Sequence, residues 1–331
     1  MEDYRKLLVI SSLFTVLLLS PVVPGASSQL RATSASSDTG SGVYAVITRT
    51  DSSWDQTTLS LLTSKGMDTI YQFPPGSCEC VFAIDSSGNY IVVEVTGNAL
   101  TKVTPAGVRT MIYKFPDGTK PFDIKIDSSG DYIVPEYNTS KLSKITPGGV
   151  KTEIANITSP IAVAIDPFGN YIVTQGIWPS LNALAKVTPD GNVSTIYNFP
   201  SSSWPGWAEI DSSGNYIVTA VDGNTLWKVT PDGVATHMYR FDKGTKPYST
   251  VVDSNGNYIV SESIIWVLSQ ITPAGVRTEL YHFSTFPGEI RVISAGDLTP
   301  IPEYPGATVM ILTAVAVSIA LLFTRMKKPA G

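Results

Sequence analysis

Two strings recurring along the chain predict an all-β fold, a six-bladed β-propeller of four-stranded antiparallel blades. The first is "FAIDSSGNYIVVE" (82–94), which returns as "IKIDSSGDYIVPE", "VAIDPFGNYIVTQ", "AEIDSSGNYIVTA" and "TVVDSNGNYIVSE". The second, seen as "KVTPAGV", "KITPGGV", "KVTPDGN", "KVTPDGV" and "QITPAGV", places prolines at 105, 147, 189, 231 and 273, always 42 residues apart. The third observation is a divided copy. "GVYAVITRT" (42–50) and "LSLLTSKGMDTIYQF" (59–73) supply second, third and fourth strands, and "FPGEIRVISAG" (286–296) supplies a first strand with nothing after it. Joined, the fragments make one blade from both ends of the domain, which closes the ring and leaves no open sheet edge.

Each repeat reads strand by strand. "PFDIKID" is the first strand and "SSG" turns the chain; "DYIVPE" is the second, rich in β-branched and aromatic residues. "KLSKIT" is the third, the Pro-x-Gly turn follows, and "VKTEI" is the fourth. The aspartate opening the first turn bonds backbone two residues on, and the glycine takes a left-handed conformation. A calcium-loop reading of D-x-x-G-N lacks the alternating oxygens and terminal glutamate of that motif. The recurring Tyr44, Tyr90, Tyr132, Tyr171, Tyr216 and Tyr258 read as packing between blades. No segment of 43–295 sustains a helical period.

The ends differ from this domain. Residues 1–26 carry Arg5 and Lys6, then "LLVISSLFTVLLL", then small residues around Ala26, the pattern of a secretory signal peptide. A Ser/Thr-rich linker (27–42), the propeller (43–295) and a Pro-rich linker (296–306) follow. "ATVMILTAVAVSIALLFT" (307–324) is uncharged and worth about 27 Å of helix against a hydrocarbon core of roughly 30 Å. The basic end 325–331 then sits in the cytoplasm by the positive-inside rule. The expected location is the cell surface, exported and anchored by the C-terminal helix.

The formal charge is −5, and without the signal segment and basic tail 18 basic and 26 acidic residues remain. Such a domain has no electrostatic case for binding nucleic acid. Cys78 and Cys80 are the only cysteines. Neighbouring strand positions two apart make a C-x-C disulfide a strained pairing, which leaves a free pair or an intermolecular bridge.

The run "GNYIV-x-E", "L-x-KVTP-x-GV" and "P-x-x-I-A-I-D" resembles the NHL-type propellers and the virginiamycin B lyase-like group beside them, over all of 43–295. The lyases of that group use a histidine and glutamates with a magnesium ion on one face. The histidines here, His237 and His282, fall on the outermost strands, so the resemblance carries the architecture and not that chemistry. The C-terminal "PIPEYPGATVMILTAVAVSIALLFTRMKK" looks like an archaeal sorting tail, in which a Pro-Glu-aromatic motif precedes one membrane helix. The likeness implies cleavage at Glu303 and Tyr304; a plain stop-transfer anchor is the other reading.

Function is expected on the face with loops of variable length. Trp54, Phe122, Tyr137, Trp178, Trp204, Trp207 and Tyr248 are the candidate ligand-binding face, a platform for sugar rings or partner side chains. About half are expected to cap blade cores instead, Trp266 in "IIWVL" above all. Glu94, Glu136, Gln175 and Glu262 end the second strands as an incomplete acidic ring, a candidate seat for Ca²⁺ or Mg²⁺ or a set of partners for Lys125 and Arg291. No other cofactor is required. There is no G-x-S-x-G elbow and no phosphate loop, so no catalytic residue is assigned. Asn138, Asn156 and Asn192 head glycosylation sequons. The expectation is a monomeric, surface-anchored propeller binding a protein or glycan without chemistry. The alternative is a divalent-metal lyase or hydrolase working through Glu94, Glu136 and Glu262.

Overall fold

The computed structural model describes residues 43–49, 57–63, 66–76, 80–177, 180–284 and 286–293. The expected signal peptide (1–26), linkers (27–42 and 296–306), membrane helix (307–324), basic tail (325–331) and sorting motif (Glu303, Tyr304) lie outside the described residues, as does Cys78. Among the described residues no helix is long and apolar enough to cross a membrane.

The chain lays down one sheet after another. Blade 1 begins with β1 (Val43–Arg49), β2 (Thr57–Thr63) and β3 (Gly66–Gln72). Blade 2 is β4 (Cys80–Ile84), β5 (Tyr90–Glu94), β6 (Ala99–Val103) and β7 (Arg109–Lys114). Blade 3 is β8 (Lys125–Ile126), β9 (Tyr132–Glu136), β10 (Lys141–Ile145) and β11 (Lys151–Asn156). Blade 4 is β12 (Pro160–Ile165), β13 (Tyr171–Ile177), β14 (Leu181–Val187) and β15 (Val193–Asn198). Blade 5 is β16 (Pro205–Ile210), β17 (Tyr216–Ala220), β18 (Thr225–Val229) and β19 (Ala235–Arg240). Blade 6 is β20 (Pro247–Val252), β21 (Tyr258–Glu262), β22 (Val267–Ile271) and β23 (Arg277–His282).

The last strand, β24 (Phe286–Ile293), returns to blade 1 as its innermost strand. It pairs antiparallel with β1, placing Val43 opposite Ile293, Tyr44 opposite Val292 and Ala45 opposite Arg291. The inner strands β4, β8, β12, β16, β20 and β24 touch in succession and back to β4, which closes the expected ring of six.

Every blade has a neighbour on both faces, so its middle strands are largely buried. All of β5 is buried, whereas the outer β7 alternates between half-buried and exposed. Each fully buried Val or Ile contributes about 1.5–3 kcal/mol. Tyr90, Tyr132, Tyr171, Tyr216 and Tyr258 are buried between blades as expected, and burial pushes the Tyr90 phenol up to about 12.

The turns are built from the two recurring strings. Asp85 Oδ1 accepts from the Ser87 and Asn89 amides at 2.9 Å each, and Oδ2 accepts from the Asn89 side chain at 2.9 Å. Asp127, Asp166, Asp211 and Asp253 hold the same two backbone bonds, so these carboxylates are spent on turn closure. In the Pro-x-Gly turn, Gly149 has φ +81° and its missing Cβ would lie 2.6 Å from the Ile112 carbonyl of the preceding blade. That glycine serves the turn and the blade contact together.

Strand one to two and strand three to four turns lie on one side of the disc, the hairpin face. The opposite loop face carries the strand two to three turns and the crossings between blades.

Candidate functional site

The inner strands enter from the loop face through a residue held before proline. Lys120, Ser159, Trp204 and Lys246 occupy this place with φ between 45° and 52°. A side chain from the preceding blade fixes each of three amides: Asn98 Oδ1 accepts from Lys120 N at 3.0 Å, Asn182 from Trp204 N at 3.0 Å, and Asn224 from Lys246 N at 2.9 Å. Their carbonyls accept from Tyr137 N, Val221 N and Ser263 N at 3.0, 2.9 and 3.1 Å. These bonds offset a left-handed conformation that costs a non-glycine residue about 1–2 kcal/mol, and they fix the backbone from which Phe122, Trp207 and Tyr248 enter one shared cluster.

Five of the expected aromatics come together there. Trp207 meets Tyr248 with centroids 4.1 Å apart and ring planes tilted by 43°, and Phe122 meets Tyr137 edge-to-face at 5.1 Å. Phe122, Tyr137, Trp204 and Tyr248 pack, half-buried, on a cluster containing Trp207, Val81, Ile124 and Ile161. Trp207 is buried and its Nε1 has no hydrogen-bond partner, which makes it the floor under a partly exposed rim. Tyr137 Oη donates to the Gly176 carbonyl at 3.3 Å. Trp54 and Trp178 lie outside the described residues.

Inner-strand charge lies further along the channel. Lys125 on β8 reaches Glu209 on β16, two blades on, at 2.6 Å. Ala83, Ala164 and Val251 hold the matching register in blades 2, 4 and 6. Asp123 is buried, and its Oδ2 accepts from the Val163 amide of the next blade at 2.9 Å.

The acidic ring does not form a shared mouth. Glu94 is buried in blade 2 and takes both Arg109 Nε and Nη2, at 2.8 and 2.9 Å. Glu136 meets Lys151 at 2.5 Å in blade 3, and Glu262 meets Arg277 at 2.6 Å in blade 6. Gln175 donates to the Thr158 carbonyl at 2.8 Å. Each carboxylate thus has a cation from the fourth strand of its own blade, and not Lys125, beside it. Burial raises the Glu262 pKa, opposed by bonds from Ser269 and Arg277. Among the described residues no group of three or more His, Cys, Asp or Glu is placed to hold a metal ion.

Both histidines stand on outer strands. His237 on β19 lies against Trp227 with centroids 3.8 Å apart and planes tilted by 37°, where burial and then Arg240 lower its pKa; His282 on β23 is exposed beside Glu279.

No family model and no curated protein sequence matches the chain. Solved structures do. A catalytically inactive variant of virginiamycin B lyase from Staphylococcus aureus with quinupristin aligns at TM-score 0.59 and 17% identity, over 78% of this chain and 93% of that one. A chain of a nidogen/laminin complex aligns at TM-score 0.62 and 11% identity, over 76% and 98%. A putative gluconolactonase aligns at TM-score 0.54 and 15% identity, over 63% and 79%. The chain thus shares its propeller fold with virginiamycin B lyase and with the other two structures alike. At these identities the likeness extends to the propeller architecture and no further.

One feature of the propeller's loop face differs from the sequence-based expectation. Trp266, expected to cap a core, is 42% exposed at φ 57°, beside Ile264 at 58% and Ile265 at 42% exposure. The signal was present: the corresponding turns of blades 2 and 5 carry Gly-Asn, whereas blade 6 carries Ile-Ile-Trp. The sequon asparagines Asn138, Asn156 and Asn192 are all exposed.

Proposed function

We propose that this chain is an exported propeller, anchored through 307–324, that binds a protein or glycan ligand at the aromatic mouth of its loop face and does no chemistry there. The observation carrying this reading is the convergence of Phe122, Tyr137, Trp204, Trp207 and Tyr248, contributed by three blades, over one buried indole. Half-buried rings on a rigid floor offer flat apolar contact at low entropic cost. The pairing of Glu94, Glu136 and Glu262 with cations supports binding over metal-assisted catalysis.

The test is binding of the full chain to arrayed glycans and to surface proteins of the same cells. Trp204→Ala with Tyr248→Ala is expected to abolish binding with folding intact, and chelation to leave it unchanged. Loss of binding on chelation, or on Glu94→Gln with Glu262→Gln alone, favours the metal-dependent lyase or hydrolase instead. The mass of the mature C-terminus decides between a sorting cut at Glu303 and Tyr304 and a retained anchor.

A further inference from the structure

We infer that the hairpin face of the propeller lies against the lipid bilayer, leaving the aromatic mouth facing outward. This rests on the membrane-anchoring part of the proposed function.

The first observation is a ring of apolar side chains that the fold does not use. Val108, Val150, Val234 and Val276 stand at one position of the Pro-x-Gly turn in blades 2, 3, 5 and 6, and each is more than half exposed. The turns close through backbone and threonine atoms: Thr146 N donates to the Val150 carbonyl at 2.9 Å, and Val150 N to Thr146 Oγ1 at 3.1 Å. The valine side chain takes no part. Blade 4 has Asn192 at this position, but its other hairpin carries Phe168, 87% exposed, where blades 2, 3 and 5 have serine. The Asp166 turn forms regardless, through the Phe168 amide at 2.9 Å. Blades 2 to 6 therefore each turn an apolar side chain toward the same side of the disc; one such residue alone is ordinary on a surface, but five at repeated turn positions give that side an apolar rim.

The second observation is where the chain leaves. Strand β24 runs in the direction of the other inner strands, so Ile293 ends on the hairpin face. The apolar segment begins at residue 307, leaving 294–306 as the tether. Those residues span at most about 47 Å when fully extended. Reaching the loop side means crossing four strands, about 14 Å, and a sheet height of about 17 Å, before side chains are added. That path takes most of the tether, whereas the hairpin face is reached directly.

The charges of the face fit a neutral lipid surface. Lys144 and Lys228 pair with Asp127 and Asp211 at 2.8 and 3.2 Å, while Asp190 and Asp232 remain exposed and disfavour anionic headgroups.

The full chain reconstituted in phosphatidylcholine vesicles tests this, with a photoreactive benzoyl-phenylalanine replacing Phe168 in one sample and Ile265 in another. After illumination, several-fold more lipid adduct is expected at 168 than at 265. Adducts mainly at 265, equal adducts, or none at either while the chain stays in the vesicle pellet under alkaline carbonate, overturns the inference and leaves the anchor standing. Release of the chain by carbonate overturns the anchor itself and the orientation with it.

Discussion

Glu94 and Arg109 meet as a two-point ion pair, Nε to Oε1 at 2.8 Å and Nη2 to Oε2 at 2.9 Å, across the second and fourth strands of one blade. Thr101 on the strand between donates to the same carboxylate at 2.8 Å. The set recurs as Glu262, Ser269 and Arg277. Blade 5 shows the other solution, with Ala220, Trp227 and Ala235 at the equivalent places. Truncating Arg277 to alanine strands a buried carboxylate and is expected to cost about 3 kcal/mol in chemical denaturation. Glu262→Ala together with Arg277→Ala recovers most of that loss, because no buried charge is left alone. A double variant as unstable as the single one contradicts the account.

The same groups set opposite pH dependences. Burial holds the Glu262 pKa above its ordinary 4.5 despite the bonds that lower it, so its folded form binds protons more tightly. Its contribution to stability is present below about 4.5 and is lost as pH rises through the folded value. Asp211 behaves in reverse. Burial pushes it up, but bonds from the Asn215 side chain and amide and from Lys228 outweigh burial and hold it below 3.8. Its contribution is present above 3.8 and disappears as pH falls through the folded value. Relative to Glu262→Gln, the parent protein is expected to lose stability on going from acid to neutral pH. Relative to Asp211→Asn it is expected to gain. Denaturation midpoints across that range measure both slopes.

Blade number, strand order and ring closure were legible because the two turn strings are backbone requirements that each repeat must satisfy. The mouth was legible in part, since Phe122, Trp207 and Tyr248 each follow the proline that opens their inner strand within two residues. The partners of the acidic residues were not legible while those residues were compared only across blades, with each other and with Lys125 and Arg291. Compared down the repeat, acid, hydroxyl and base travel together: Glu94 with Thr101 and Arg109, Glu136 with Ser143 and Lys151, Glu262 with Ser269 and Arg277. Blade 4 has Gln175, Ala185 and Val193 in the equivalent places. Internal covariation of this kind signals contact within the blade. The Asn98 and Asn224 latches left no such trace, because asparagine in a turn is already explained by its tolerance of positive φ, and Asn182 sits inside strand β14 with no turn to mark it.

Glycines at adjacent positions separate conformation from ordinary surface freedom. Gly149 needs a left-handed φ of +81°, and a Cβ added there would stand 2.6 Å from the Ile112 carbonyl; Gly148 has only Thr146 Oγ1 nearby, at 3.8 Å. Gly149→Ala is expected to destabilise by at least about 1–2 kcal/mol from conformation alone, with the carbonyl clash added. Gly148→Ala is expected to be neutral or stabilising by about 0.4–1 kcal/mol. Thermal unfolding of the two variants side by side checks the difference, and equal losses would show that the blade contact does not depend on this glycine.

Lys125 and Glu209 bind blades that are not sequence neighbours, so their pair reports on the ring as a whole. The contact is 2.6 Å, with side-chain exposures of 16% and 24%. That setting is drier than a surface bridge, yet wet enough that a single lost partner can still hydrate. Lys125→Met or Glu209→Gln is expected to cost about 1.5–3 kcal/mol, the range for hydrogen bonds to charged groups. Exchanging the two residues, Lys125→Glu with Glu209→Lys, keeps the pair and is expected to return most of the loss, since both come from inner strands in the same register. A double-mutant cycle with no coupling would mean that the charges are independently solvated in the channel, and the polar layer beneath the aromatic floor would then play no part in holding the mouth in shape.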